Sequence, residues 1–334
     1  MSDTTKPDKN KLEISKLGVG TPNIPNTVNT LGTIDNNSVK KVNYVLKTLS
    51  IQGLATGSED TKNNIVLCLH GWLDNAASFT PLFPYLQQQL TGKHIIAIDW
   101  PGHGYSTHRS PDAHYHFMDW VYDLLQLVEL NEWQQVDIVG HSMGGIVASA
   151  FAAAFPEKVN SLTLIDAIGF ITAKPEEATQ QLRDGILSRY RLSQHKSSNK
   201  KVNNKPKKRH PSVESAIKAR VTVSDLKYDQ AKLLVERGLR REDQGYSWRS
   251  DARLRNKSLY RVTLKQAEQF IQDIECPVQL IYASHGIEMV STGLKHFGAL
   301  FKQFSSEELK GGHHVHMEQP EKTVKLIKHF LLSI

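Results

Sequence analysis

The sequence predicts an α/β chain: a doubly wound, mostly parallel sheet with a mainly helical insertion. Three observations carry that prediction. Short, almost continuous apolar runs recur along the chain, as expected of strands covered on both faces of a parallel sheet. Segments with helical periodicity lie between them, giving strand–helix alternation. The alternation stops between Ile168 and about Glu275 and then resumes, which marks an insertion of roughly 100 residues.

Taken in order, residues 1–40 are polar, rich in Asn, Thr and Pro, without periodicity, and read as a largely unstructured extension. VNYVLKTLSIQGLATG (42–57) reads as two strands of a hairpin. NIVLCLH (64–70), HIIAIDW (94–100), VDIVG (136–140), SLTLIDA (161–167) and PVQLIYA (277–283) are the buried strands. Phe117, Trp120, Val121, Leu124, Leu125 and Val128 form one apolar helical stripe. GGIVASAFAAAF, closed by Pro156, is a second helix, and EKTVKLIKHFLLSI (321–334) a terminal amphipathic one. Within the insertion, helices are expected near 176–192, 224–238 and 263–273, the last opening with a capping box at Thr263 and Gln266. The domain reading is therefore a sheet core of 41–167 and 276–334, interrupted by a helical cap at 168–275 with a basic loop at 194–211.

Composition narrows the function. There are 41 Lys and Arg against 34 Asp and Glu, a net charge of +7 and a pI near 9.2. The whole excess sits in Lys196, Lys200, Lys201, Lys205, Lys207, Lys208 and Arg209, and removing these seven leaves a neutral chain. No basic face spans the remainder, which argues against a nucleic-acid partner. The loop reads as a solvated segment, the alternative being a docking patch for an acidic partner. Two Cys in 334 residues do not make a disulfide framework and favour a reducing, cytoplasmic setting; both read as small core residues. No apolar run approaches the ~20 residues of a membrane span, so no stable membrane insertion is expected.

The chemistry concentrates in three motifs. In GHSMGG (140–145), between a strand and the Ala-rich helix, glycines permit a tight strand-to-helix turn that lifts the Ser142 hydroxyl above the sheet. HGW (70–72) follows a strand, so the backbone N–H of Trp72, with that of Met143, is placed to form a two-donor oxyanion hole. His70, and His103 in DWPGHGYS (99–106), read as structural. GGHHVHMEQP (311–320) offers His313, His314 and His316 as bases for Ser142, and composition does not separate them.

HGW, DWPGHGYS, GHSMGG and GHHVHMEQP, in that order, resemble the α/β-hydrolase fold family over about 42–334. HGWLDNAASF, GYSWRSDARLRNKS (245–258) and CPVQLIYASHG further resemble its serine hydrolase-like, or kraken-type, branch. The resemblance implies that the base is His313, which begins a G-H-x-x-x-x-E-x-P pattern ending at Glu318 and Pro320. It also implies an Asp after the seventh strand, and here the chain departs: that position is Gly286. Asp166, at the end of SLTLIDA, is the expected replacement, with Glu288 or a dyad without a carboxylate as alternatives; some relatives seat their acid at that strand end. A serine hydrolase of a small-molecule carboxylic ester or thioester, without cofactor or metal, is the expected function. A C–C hydrolase, a perhydrolase, or a non-catalytic binding protein on the same scaffold are the alternatives, because the fold hosts many chemistries. Ser142 itself excludes dehalogenation through a carboxylate nucleophile. Phe170, Tyr190, Tyr246 and Trp248 are candidate lining residues of the cap.

Overall fold

A computed structural model describes residues 39–58, 62–197 and 209–334. The predicted extension lies outside these residues except for Val39 and Lys40, as does most of the basic loop. An eight-stranded sheet forms the centre, in the order β1 (Lys40–Val45), β2 (Ser50–Gly57), β4 (His94–Ile98), β3 (Ile65–Leu69), β5 (Val136–His141), β6 (Val159–Ile165), β9 (Val278–His285) and β10 (Phe304–Gly312). β1 and β2 are antiparallel, and the six strands from β4 to β10 are parallel. Every residue of β3, β4 and β5 is buried, so the continuous apolar runs are strands covered from both sides.

The covering helices split the apolar core in two. On one face lie α2 (Phe117–Leu130), α3 (Met143–Ala154), α7 (Leu264–Gln272) and α8 (Glu288–Phe297), packed around Trp100, Leu124, Phe151 and Leu164. On the other, α1 (Phe83–Gln89) and α10 (Pro320–Ser333) pack around Phe79, Leu86, Cys68 and Ile327. α3 is buried along most of its length, and its small residues allow that: a Cβ on Gly144 would stand 2.1 Å from the Leu69 carbonyl oxygen.

Between β6 and α7 run α4 (Ala178–Ser197), α5 (Val213–Thr222), α6 (Tyr228–Gly238) and the hairpin of β7 (Leu239–Glu242) and β8 (Gly245–Trp248). α5 and α6 enclose a separate small core of Ala216, Ile217, Ala231, Leu234 and Val235. Buried polar contacts hold this insertion to the sheet. Arg237 pairs with Asp99 (Nη2–Oδ2 2.8 Å), Arg220 with Asp74 (2.6 Å), and Asn75 Nδ2 donates to the Leu234 carbonyl at 2.8 Å. A short helix, α9 (Val315–Glu318), links β10 to α10.

Candidate active site

Strand register decides which side chains meet. Leu69 pairs with Gly140, His141 with Ile165, Ile165 with Ile281, and His285 with Gly312. Directly after those paired residues come Ser142, Asp166, Gly286 and His313, with Gly71 two residues past Leu69. All lie at the carboxyl ends of parallel strands, where ligands bind in open α/β sheets.

Ser142 turns the chain from β5 into α3 with φ 51° and ψ −120°. Of the four non-glycine residues with positive φ among the described residues, three stand here: Leu73, Ser142 and Asp166. Each costs on the order of 1–3 kcal/mol and persists only where its surroundings impose it. The Ser142 turn is fixed by its N–H on the Ile165 carbonyl (3.1 Å) and its carbonyl accepting from Gly145 N (2.9 Å). A Cβ on Gly140 would meet the Gly145 backbone at 2.6 Å, so glycine permits the tight crossing. Ser142 caps α3 without using its hydroxyl, which makes no hydrogen bond among the described residues. Gly71 passes directly over it, an added Cβ lying 3.2 Å from the Ser142 Cβ.

His313 Nδ1 donates to Asp166 Oδ2 at 2.6 Å, and Glu288 lies exposed at the start of α8. Asp166 is fully buried; its Oδ1 accepts from Ala283 N at 3.0 Å and its Oδ2 from Ile287 N at 3.4 Å. Gly286 explains how a residue from β6 reaches across the end of β9. An added Cβ there would stand 2.3 Å from Asp166 Oδ1, so the Asp166 carboxylate fills the space that a side chain at 286 would need.

The three histidines of GGHHVHMEQP have separate environments. His313 alone retains substantial side-chain exposure, at 22% against 6% for His314 and none for the fully buried His316. His314 donates from Nδ1 to Asp225 Oδ1 at 2.6 Å and from Nε2 to Asp74 Oδ2 at 3.1 Å. Burial opposes its charge, but these two carboxylates overcome it and raise its pKa to about 9. The same contacts, with Arg220, hold Asp74 well below the usual carboxylate range. His316 is driven down to about 3, by burial first and then by the positive charge on His314. His141 donates from Nε2 to the His313 carbonyl (2.9 Å), which fixes the backbone beside the His313 ring.

His70 is spent on its own loop: Nδ1 donates to the Gly71 carbonyl at 2.7 Å and Nε2 accepts from Trp100 N at 3.0 Å. This pins the backbone leading to Trp72, whose indole is half exposed and donates to the Leu254 carbonyl at 3.2 Å. Met143 begins α3, where free N–H groups face the Ser142 side chain's end of the helix. Phe170 packs among Phe117 and Phe270, Tyr190 is exposed, and Trp248 lines a cavity beside Trp72. Asp74, Arg220, Asp225 and Arg255 are the local charges the sequence did not single out; Asp74 and Arg255 stand within the HGWLDNAASF and GYSWRSDARLRNKS motifs, Arg220 and Asp225 outside any, and the insertion brings them together.

The profile of the alpha/beta hydrolase fold matches residues 64–320. The chain belongs to the α/β-hydrolase fold family. Among similar α/β-hydrolase relatives is the serine hydrolase-like protein of Danio rerio, 32% identical over 274 residues, covering 80% of this chain and 81% of the relative. Serine hydrolase-like protein 2 of Homo sapiens is 30% identical, covering 80% and 86%. A solved structure, a hypothetical protein from Pseudomonas aeruginosa PAO1, superposes with TM-score 0.76 at 33% identity, covering 88% of this chain and 98% of its own. These likenesses bear out the fold class and the resemblance to the serine hydrolase-like branch, and they support a hydrolase.

Proposed function

We propose that this α/β-hydrolase is a serine hydrolase of carboxylic esters or thioesters, with Ser142 as nucleophile, His313 as base and Asp166 as its orienting acid. The observation that carries the proposal is the 2.6 Å bond from His313 Nδ1 to Asp166, beside a serine held on a strained turn with its hydroxyl uncommitted. With Nδ1 protonated and bonded to Asp166, Nε2 has the lone pair needed to take the Ser142 proton. Ser142 Oγ attacks the carbonyl carbon, and the backbone N–H groups of Trp72 and Met143 receive the developing oxyanion. Collapse of the tetrahedral intermediate breaks the bond to the alcohol or thiol, which leaves with the proton from His313. Water, deprotonated by the same imidazole, then releases the acid and restores Ser142.

In this reading 41–167 and 276–334 are the catalytic core and 168–275 a cap over the site. The substrate is a small molecule. The setting is cytoplasmic, in keeping with Cys68 and Cys276 being free and buried, the latter pushed up to about 12 by burial and so unreactive. Among the described residues no helix is long and apolar enough to cross a membrane. The test is labelling with a fluorophosphonate. Wild type is expected to label and Ser142→Ala not to; equal labelling, or none in wild type, refutes the assignment.

A further inference from the structure

A cavity of about 420 Å³ opens between the insertion and the sheet, beginning at Trp72 and walled by Leu73, Val223, Val235 and Trp248. Its size lies in the lower part of the range typical of small-molecule sites. Three charged side chains stand at its wall: Asp74, Arg220 and Arg255. Asp74 is already committed, its Oδ1 to Arg220 at 2.6 Å and its Oδ2 to His314 at 3.1 Å. Its negative charge is therefore shared between two cations and leaves none for Arg255.

Arg255 closes the 3₁₀ turn Ala252–Arg255 in the WRSDARLR stretch, which holds three arginines with different fates. Arg249 lies over the Tyr105 ring at 4.0 Å and donates to the Leu239 carbonyl. Arg253 is buried, pairs with Asp251 at 2.6 Å and donates to the carbonyls of Arg109, Ser110 and Ala113. Those two brace the fold. Arg255 makes no hydrogen bond or ion pair among the described residues. Arg255 is an exposed residue at this wall, and partial desolvation of its guanidinium and the positive charge of Arg220 both lower its pKa. A guanidinium beside another cation, against an apolar wall, is a fork without a partner, and its geometry matches a carboxylate or phosphate bidentately.

We propose that this cavity takes the anionic end of the substrate, with Arg255 as its specificity-determining contact. Resting on the hydrolase reading above, this makes the substrate class an ester or thioester that carries a carboxylate or phosphate away from the scissile bond. Trp72 joins the two parts: it follows Gly71, which passes over Ser142, and it lines the cavity.

The test has two arms. Turnover is compared for mono(4-nitrophenyl) adipate and its neutral counterpart 4-nitrophenyl hexanoate. Arg255→Gln should lower kcat/KM for the anionic ester at least tenfold and leave the neutral ester within twofold, with part of the loss restored in Arg255→Lys. The second arm uses Ser142→Ala, which is not expected to turn over, and measures binding by calorimetry. Its ligands are monomethyl esters of the dicarboxylic acids from succinate to suberate, their dimethyl esters, and methyl 6-phosphonohexanoate, which separates phosphonate from carboxylate. Tighter binding of an anionic ligand that vanishes in Ser142→Ala/Arg255→Gln supports the proposal even if wild type hydrolyses neither ester, an outcome that would overturn only the hydrolase reading. Equal losses on both esters, no preference for an anion at any chain length, or a preference that survives Arg255→Gln overturns it.

Discussion

Replacing Asp166 with Asn tests the catalytic reading most directly, because the site leaves the amide no harmless orientation. Asp166 Oδ1 accepts from Ala283 N at 3.0 Å, and Oδ2 accepts from His313 Nδ1 at 2.6 Å. If the Asn carbonyl keeps the Ala283 bond, its NH₂ faces His313. The imidazole must then expose its Nδ1 lone pair and carry its proton on Nε2, where it cannot receive the proton of Ser142. If the amide flips, its NH₂ opposes the Ala283 N–H in a fully buried position, a donor–donor contact costing about 1–3 kcal/mol. Either outcome removes the charge that stabilises the imidazolium. The expected loss is roughly 10³–10⁴-fold in kcat, or about 4–5.5 kcal/mol of barrier, with KM little changed. Steady-state hydrolysis of a short 4-nitrophenyl ester reads kcat, and a thermal melt confirms that the variant is folded. A folded Asp166→Asn variant that loses less than tenfold in kcat would refute Asp166 as the orienting acid.

Two further outcomes follow from the same surroundings. Gly286→Ala places a methyl 2.3 Å from Asp166 Oδ1, so the carboxylate must move away from His313; kcat should fall tenfold or more, and unchanged turnover would mean the carboxylate position is unimportant. Stability should depend on pH through His314, whose folded pKa of about 9 exceeds its ordinary 6.5. That contribution, roughly 3 kcal/mol, is fully present below 6.5 and is lost as pH rises through about 9. Urea unfolding between pH 6 and 10 should thus be steeper in pH for wild type than for His314→Gln, and parallel curves would count against a charged His314. On the acid side the sign reverses. His316, lowered to about 3, and the depressed carboxylates of Asp74 and Asp225 contribute stability that is lost as pH falls.

The elements legible in the sequence are those whose burial is written locally. β3 and β4 are apolar at nearly every residue, β5 carries Val136, Ile138 and Val139 ahead of its glycine turn, and α7 announces itself through Thr263 and Gln266. β10 escapes because it is an edge strand with mostly exposed residues, FSSEELKGG, held by backbone pairing to β9. α1, α8, α5 and the β7–β8 hairpin also escape. They are short, and α5 and α6 bury their apolar residues against each other within the insertion. Insertion helices expected at 176–192 and 224–238 occur at Ala178–Ser197 and Tyr228–Gly238.

The sequence by itself determined the parallel sheet, the serine on its strand-to-helix turn and the group of three histidines, because glycine spacing and apolar runs act over a few residues. The partner of His313 was a different kind of question. It depended on the two-strand step from β6 to β10 and on the gap left by Gly286, through which a carboxylate 147 residues away in sequence reaches the imidazole. The separate fates of His313, His314 and His316, and of the three arginines in WRSDARLR, were likewise decided by tertiary structure. A side chain's charge state and freedom to react depend on which distant groups fold against it, and no local pattern encodes those distances.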